Sequence, residues 1–409
     1  MPMRHAVLAA ILLATVFAGS YFVDAQVLEP QSEFWASRDT VIERKKNAPA
    51  VRIGIWDSGV DVTLFPGQIA QGVDRKALLR GYNSFKLRED TAMEVLPSTF
   101  ATRRDELNRA LKASDDMADL VASPNVKEFN ERRNKMSAEE RREFDAAIGR
   151  WSGYVHGTAV ADIAVRGNKQ AQIVIARMEW WHGSPPVPCW NRELADREAD
   201  SIRDLLTFLV SSGARVVNMS WGRFEASYLS NLRQCAPEMT LEDRQKLARY
   251  TVEKIRGVLQ EGMKAAPNVL FVGAAGNSGT SVETANPATR FTLPNFILVG
   301  AVDRSGKATQ FTNKGPEVTL YANGERVPAR LPGGEVSYPS GTSMATPNVT
   351  NAAAKMLAVN PRLNGGEMRI LLEQTGDKNS TGQLLLHTAR AVEAARQSLK
   401  AKVAVPASK

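Results

Sequence analysis

Alternation is the feature that restricts this chain most. Short apolar runs suited to strands, at residues 51–56, 173–178, 216–220, 269–275 and 297–302, are separated by stretches with helical spacing. Ile202, Leu205, Leu206, Leu209 and Val210 recur at helical intervals, and Gly213 stands where a helix C′ glycine belongs. Residues 241–265 put Ile255, Leu259 and Met263 on one helical face. Parallel strands joined by helices need right-handed crossovers, so the expected fold is α/β, a mostly parallel sheet with helices on both faces. Residues 366–373 and 388–399 read as closing helices, with a flexible tail at 399–409. Residues 71–150 break the alternation with dense charge, and Ser137-Ala138-Glu139-Glu140 reads as a capping box, so this stretch is expected to be a helical insertion.

Three side chains stand where such a sheet exposes chemistry. Asp57 closes the first strand and is followed by Ser58-Gly59, at the strand end where open α/β sheets place functional groups. An Asx-turn aspartate is the plainer reading of the same residue. His156 precedes Gly157-Thr158-Ala159-Val160-Ala161, small residues that open a helix to about residue 165 and let other groups come close to the ring. A structural histidine fits this pattern too. Ser343, in Ser340-Gly341-Thr342-Ser343-Met344-Ala345-Thr346-Pro347, sits at a helix N-terminus, where free N–H groups and the helix dipole favour an oxyanion. Such a serine also serves as an ordinary N-cap. Asn277, in Gly276-Asn277-Ser278-Gly279 at another strand end, is either a turn residue or a side-chain donor to that oxyanion.

Together these segments resemble the subtilisin-like serine proteases, the subtilases. The aspartate stretch Ile53-Gly54-Ile55-Trp56-Asp57-Ser58-Gly59-Val60-Asp61 and the histidine stretch from His156 to Ala161 are similar to two motifs of that family. Gly341-Thr342-Ser343-Met344-Ala345-Thr346-Pro347 matches its serine motif residue for residue. Asn218-Met219-Ser220-Trp221-Gly222 resembles its substrate-binding strand, and Ala274-Ala275-Gly276-Asn277-Ser278-Gly279 its oxyanion turn. The order Asp, His, Ser is that of subtilisin. The resemblance implies a three-layer sandwich over residues 51–398 and hydrolysis of peptide bonds through Asp57, His156 and Ser343. Asn277 and the Ser343 N–H would form the oxyanion hole. It further implies that Ser220, Trp221 and Gly222 pair with an extended substrate, while Trp221, Ala274, Ala275 and Gly276 wall a primary pocket. Neither wall carries a charge, so the expected preference is apolar or unselective.

Departures from the family are specific. His156 follows Asp57 by 99 positions, a long gap, and the insertion filling it is expected to cap or gate the cleft. Ala322-Asn323-Gly324 replaces the common Ala-Pro-Gly, and Asn348 stands where a histidine is usual. The polar arm at 26–50 is too short for the inhibitory pro-domain of many relatives. No cofactor is needed for the chemistry. Family members often hold structural calcium, but no zinc or EF-hand motif is present here.

The N-terminus directs the rest of the reading. Arg4 precedes an apolar run at 6–18 and then small residues, which reads as a signal peptide or an uncleaved anchor over residues 1–25. That run is shorter than the ~20 residues of a membrane span. The chain is expected to be exported, periplasmic or secreted. Cys189 and Cys235 then either form one disulfide or remain thiols. The formal charge of +8 is spread among acidic residues, with no aromatic-basic array, so nucleic acid is not an expected partner. The expected partner is a protein or peptide substrate. Two rival functions differ in class: a catalytically silent or gated binding protein on the same scaffold, and an esterase. The esterase lacks its Gly-x-Ser-x-Gly elbow.

Overall fold

The computed structural model describes residues 32–179, 188–285 and 290–403. The leader expected at 1–25, His182 and the end of the tail at 404–409 lie outside the described residues. In chain order the strands are β1 (Val51–Asp57), β2 (Leu79–Tyr82), β3 (Ala171–Met178), β4 (Val216–Met219), β5 (Leu270–Ala274) and β6 (Phe296–Val302). They continue with β7 (Val318–Asn323), β8 (Ala329–Arg330), β9 (Val336–Ser337), β10 (Asp377–Lys378) and β11 (Leu384–Leu385). The helices are α1 (Glu33–Ala36), α2 (Ser98–Ala101), α3 (Arg104–Ala118), α4 (Pro124–Asn134), α5 (Ala138–Val165) and α6 (Arg192–Ser211). After these come α7 (Glu225–Cys235), α8 (Leu241–Lys264), α9 (Val282–Ala285), α10 (Thr342–Val359), α11 (Gly365–Thr375) and α12 (Thr388–Val403).

Nine strands form the main sheet in the order β10-β11-β7-β6-β5-β4-β1-β3-β2. Its pairs are parallel except β10 with β11. Strands buried on both faces must be apolar along their whole length, and Ile53, Ile55, Val217, Phe271, Val272, Ile297 and Val299 are all fully buried. Helix α8 buries Ile255, Leu259 and Met263, the face that its spacing assigns. Helix α10 is buried along most of its length and packs against α5, α12 and strands β1 and β4–β7.

The chain leaves β1 toward β3 on one side and resumes with β4 on the other, so β1 lies at the point where strand order reverses. Crevices at such switch points, at the carboxyl ends of the strands, are where open α/β sheets bind ligands.

Three expectations need adjustment. The 71–150 stretch is helical only from Ser98 onward, because Leu79–Tyr82 pairs with β3 as the parallel edge strand β2. His156 does not open a helix: the Ser137 capping box starts α5, which runs unbroken through His156 to Val165. Gly153 and Gly157 are tolerated inside it because both are buried, and packing overrides their weak helix propensity. The tail is helical to Val403, since no Gly or Pro interrupts residues 388–403. The arm expected before β1 packs against the rest of the chain: Trp35 is buried with Nε1 donating to Asp303 O at 3.0 Å, and Asp39 binds the buried Lys355 at 2.7 Å.

Candidate active site

Register brings the sequence candidates to one edge of the sheet. Ile55 faces Asn218 across β1 and β4, and Met219 faces Gly273 across β4 and β5. Asp57, Ser220 and Ala274 therefore end three adjacent strands at one level, with neighbouring strands ~4.8 Å apart.

Asp57 is fully buried, and its Oδ1 accepts hydrogen bonds from Ser58 N at 2.8 Å and His156 Nδ1 at 2.7 Å. With Nδ1–H donating to a carboxylate, Nε2 is left as the basic nitrogen. Glycine allows α5 to approach this closely, since a Cβ on Gly157 would lie 2.3 Å from Gly59 O. The contact is stitched from both sides: Gly157 N donates to Ser58 Oγ at 3.0 Å, and Asp61 N to Thr158 Oγ1 at 3.0 Å.

Ser343 lies in the first turn of α10, after Gly341 as N-cap. Pro347 has no N–H to offer the carbonyl four residues back, which is that of Ser343. Ser220 Oγ fills the vacancy, donating to Ser343 O at 2.9 Å. In return Ser343 Oγ donates to Ser220 O at 3.2 Å. Ser220 is itself held by Asn218 Nδ2 at 2.9 Å, and Asn218 Oδ1 accepts from Thr350 Oγ1 of α10 at 3.0 Å. The candidate nucleophile and the strand end beside it are thus locked together. Asp57 and His156 are joined directly, and Ser343 is tied to the neighbouring strand end.

Asn277 has its orientation fixed by Thr342. Asn277 Oδ1 accepts from Thr342 N and from Thr342 Oγ1, both at 2.8 Å, while Thr342 Oγ1 accepts from Gly276 N at 3.1 Å. A backbone N–H can only donate, so the amide oxygen faces Thr342 and Nδ2 is left for another acceptor. The adjoining Gly341 has φ +158°, and a Cβ there would sit 3.3 Å from Asn277 Nδ2. Nothing in the sequence marks Thr342 for this role apart from its place in the serine motif.

A cavity of about 1130 Å³ opens beside these groups, lined by Ser343, Asn277, Ala274, Gly276 and Ser220-Trp221-Gly222. Trp221 packs edge-on against Trp56, with centroids 5.1 Å apart. Ala275 does not line it: the residue is fully buried, its N–H donating to Val299 O and its carbonyl accepting from Asn313 Nδ2. The expectation of uncharged walls also fails. Lys86, Glu179, Glu198 and Arg223 line the same cavity, Lys86 and Glu179 from segments more than forty positions away from either expected wall. Glu198 accepts from Arg223 Nε at 2.6 Å and Tyr228 OH at 3.1 Å. Burial pushes the Glu198 carboxyl up, but Arg223 and Lys86 outweigh it and hold the group below the usual range. Burial and the same carboxylate push Tyr228 well up. Beside this wall Cys189 and Cys235 form a disulfide, resolving the alternative left open by the sequence.

Of the 71–150 stretch, Ser84 and Lys86 line this cavity, but the helices that follow them do not. No residue of α2, α3 or α4 lines this cavity. Instead α3 clasps the segment leading into Ser343. Asn108 and Lys112 bind Glu335, and Arg104 donates to Pro332 O. Ser340 Oγ donates to Asp119 Oδ2 at 2.8 Å and accepts from Arg326 N at 2.8 Å, and Arg326 reaches Asp116 at 2.9 Å. Among the described residues no group of three or more His, Cys, Asp or Glu is placed to hold a metal ion.

An aspartate–histidine pair beside a helix-terminal serine, at the switch point of a parallel α/β sheet, is an arrangement suited to acyl transfer. The chain belongs to the subtilase family, whose model matches residues 49–394. Subtilisin of Bacillus pumilus is 36% identical over 107 residues, 26% of this chain and 39% of that protein. The thermophilic serine proteinase of Bacillus sp. (strain AK1) is 32% identical over 235 residues, 55% of this chain and 47% of its own length. The chain thus spans less than half the length of these curated relatives. In fold it is similar to the A-subunit of the AB5 toxin from E. coli, with a TM-score of 0.52 at 17% identity, covering 90% of this chain and 100% of that one.

Proposed function

We propose that this chain is an exported serine endopeptidase in which Ser343 is the nucleophile, His156 the general base and Asp57 the carboxylate that orients it. The carrying observation is the 2.7 Å bond from His156 Nδ1 to Asp57 Oδ1, one strand away from the Ser220–Ser343 pair. Rotation of the Ser343 hydroxyl from Ser220 O toward the imidazole would let Nε2 take its proton as Oγ attacks a peptide carbonyl. The oxyanion so formed meets Asn277 Nδ2 and the Ser343 N–H. Collapse breaks the C–N bond, His156 returns the proton to the leaving amine, and the acyl group stays on Ser343. Water, deprotonated by His156, then releases the acid and restores the serine.

Substrate binds as an added strand along Ser220-Trp221-Gly222, with backbone pairing giving affinity and the cavity giving selectivity. The leader expected at residues 1–25 and the Cys189–Cys235 disulfide support export to an oxidising compartment, periplasmic or extracellular. A fluorophosphonate probe tests the assignment against the silent-scaffold reading. The mature protein should be labelled on Ser343 and should cleave casein and fluorogenic peptides, and Ser343→Ala should do neither. Absence of labelling in the intact protein, or hydrolysis persisting in Ser343→Ala, refutes it.

A further inference from the structure

The charged face of α3 takes no part in the cavity, yet it is not left to solvent. Leu107, Ala110 and Leu111 are buried, and the helix packs against α4 and α5. Positions 104, 108, 112, 115 and 119 recur every three or four residues and form a second, polar stripe. Their partners advance in step along residues 332–340. Arg104 reaches Pro332 O, and Asn108 and Lys112 hold Glu335. Asp115 accepts from Ser337 Oγ at 3.3 Å and Asp119 from Ser340 Oγ at 2.8 Å. Helical rise from 104 to 119 covers ~22 Å and extended chain from 332 to 340 up to ~26 Å, so the two run side by side.

The segment so held needs outside support. Strands β8 and β9, two residues each, form a sheet of their own apart from the main one. So short a hairpin is not stable by itself. Helix α5 holds its outgoing strand, Asp162 accepting from Arg330 Nε at 2.6 Å, whereas α3 holds the return strand. That return strand leads straight into Gly341, the N-cap of α10, whose N donates to Gly324 O at 2.7 Å. Ser340 is gripped from a second side, its Oγ accepting from Arg326 N at 2.8 Å. Arg326 has φ +44°, in the left-handed region unfavourable to a long side chain. From there its guanidinium reaches Asp116 at 2.9 Å and lies 3.8 Å from Asp119 Oδ2. Strain of this kind persists only where the surroundings over-determine it. The polar stripe and the strained arginine thus converge on Ser340, close before Ser343.

Building on the proposed peptidase reading, we infer that the insertion braces the nucleophile: Asp119 is a positioning residue that acts through Ser340 to set the Gly341-Thr342-Ser343 turn and the aim of Ser343 Oγ. Releasing the brace leaves the cavity walls in place, since α3 does not line them. The loss therefore falls on turnover and not on binding. A misplacement of about 1 Å at a reacting atom costs up to ~100-fold.

The test is steady-state cleavage of a fluorogenic peptide amide by the full chain, with rates normalised by active-site titration. Asp119→Ala and Ser340→Ala should each lower kcat by ~10–100-fold with KM held within about twofold. The rate of phosphonate labelling at Ser343 should fall in parallel. Asp119→Asn keeps an oxygen that accepts from Ser340 Oγ, so its kcat should stay within about twofold of wild type. Combining Ser340→Ala with Asp119→Ala should lower kcat less than about twofold further. An undiminished kcat in Ser340→Ala, which removes a single hydroxyl, overturns the inference even if Asp119→Ala does not fold. A loss confined to KM, or full losses that multiply in the double variant, also overturn it and leave the peptidase reading standing. Absence of both cleavage and labelling in the wild type overturns the peptidase reading together with it.

Discussion

Thr342→Val tests whether the proposed oxyanion donor, Asn277, is set by its neighbour. Valine keeps the volume of this buried side chain and removes only the hydroxyl, which donates to Asn277 Oδ1 at 2.8 Å and accepts from Gly276 N at 3.1 Å. The Thr342 N bond to the same oxygen, also 2.8 Å, survives. Asn277 then loses one of its two restraints. One net hydrogen bond is worth about 0.5–1.5 kcal/mol, so kcat should fall ~2–13-fold at 1.36 kcal/mol per decade. KM should hold, because an oxyanion donor acts only in the transition state. Deleting the donor outright, Asn277→Ala, should cost ~10²–10³ in kcat, a magnitude that rests on subtilisin itself. The assay is steady-state cleavage of a fluorogenic peptide amide, normalised by active-site titration, in a double-mutant cycle. If Thr342 works through Asn277, adding Thr342→Val to Asn277→Ala should change kcat by less than about twofold. An undiminished loss in that background refutes the reasoning, as does an effect confined to KM.

Two further predictions concern stability and its pH dependence. Lys355 is fully buried with Asp39 at 2.7 Å, so Asp39→Ala strands an ammonium and should cost ~3–5 kcal/mol. For a chain of 409 residues this is a drop in Tm of about 4–6 °C by calorimetry. Lys355→Met added to Asp39→Ala should recover most of the loss, and failure to recover would mean that the arm, not the charge, matters. Asp115, beside Asp116 and Asp119 and facing Ser337 and Arg326, is pushed up to about 7, mainly by burial. Its folded form therefore holds a proton that the unfolded chain releases near 3.8, so its contribution is largest in acid, declines as pH rises from about 4 to about 7, and is flat above. Urea melts of wild type minus Asp115→Asn should show that decline, at most ~1.4 kcal/mol per pH unit. A flat difference would remove Asp115 from the account.

Much of the fold was legible because strands buried on both faces must be apolar throughout, as 270–274 and 296–302 are. The candidate site was legible because small residues at fixed offsets, such as Gly157 and Gly341, mark where backbones and side chains must meet closely. What stayed hidden depends on distant pairing. Leu79–Tyr82 is too short to declare itself as a strand and becomes one only beside β3. The charged floor of the cavity joins a turn at residue 86 to a helix position at 198, a contact that no local pattern encodes. Likewise α3 appears in sequence only as a charged helix. Its partners Glu335, Ser337 and Ser340 lie more than two hundred positions away.

Pro347 leaves α10 one rung short at its sixth residue, and the chain fills the gap from outside the helix. As a result, the proposed nucleophile Ser343 and the proposed substrate strand end at Ser220 are fastened to each other rather than to separate supports. Two reciprocal hydrogen bonds couple their positions, so a displacement of one would carry the other with it. Pro347→Ala would offer the helix its missing bond and set it competing with Ser220 for the same carbonyl.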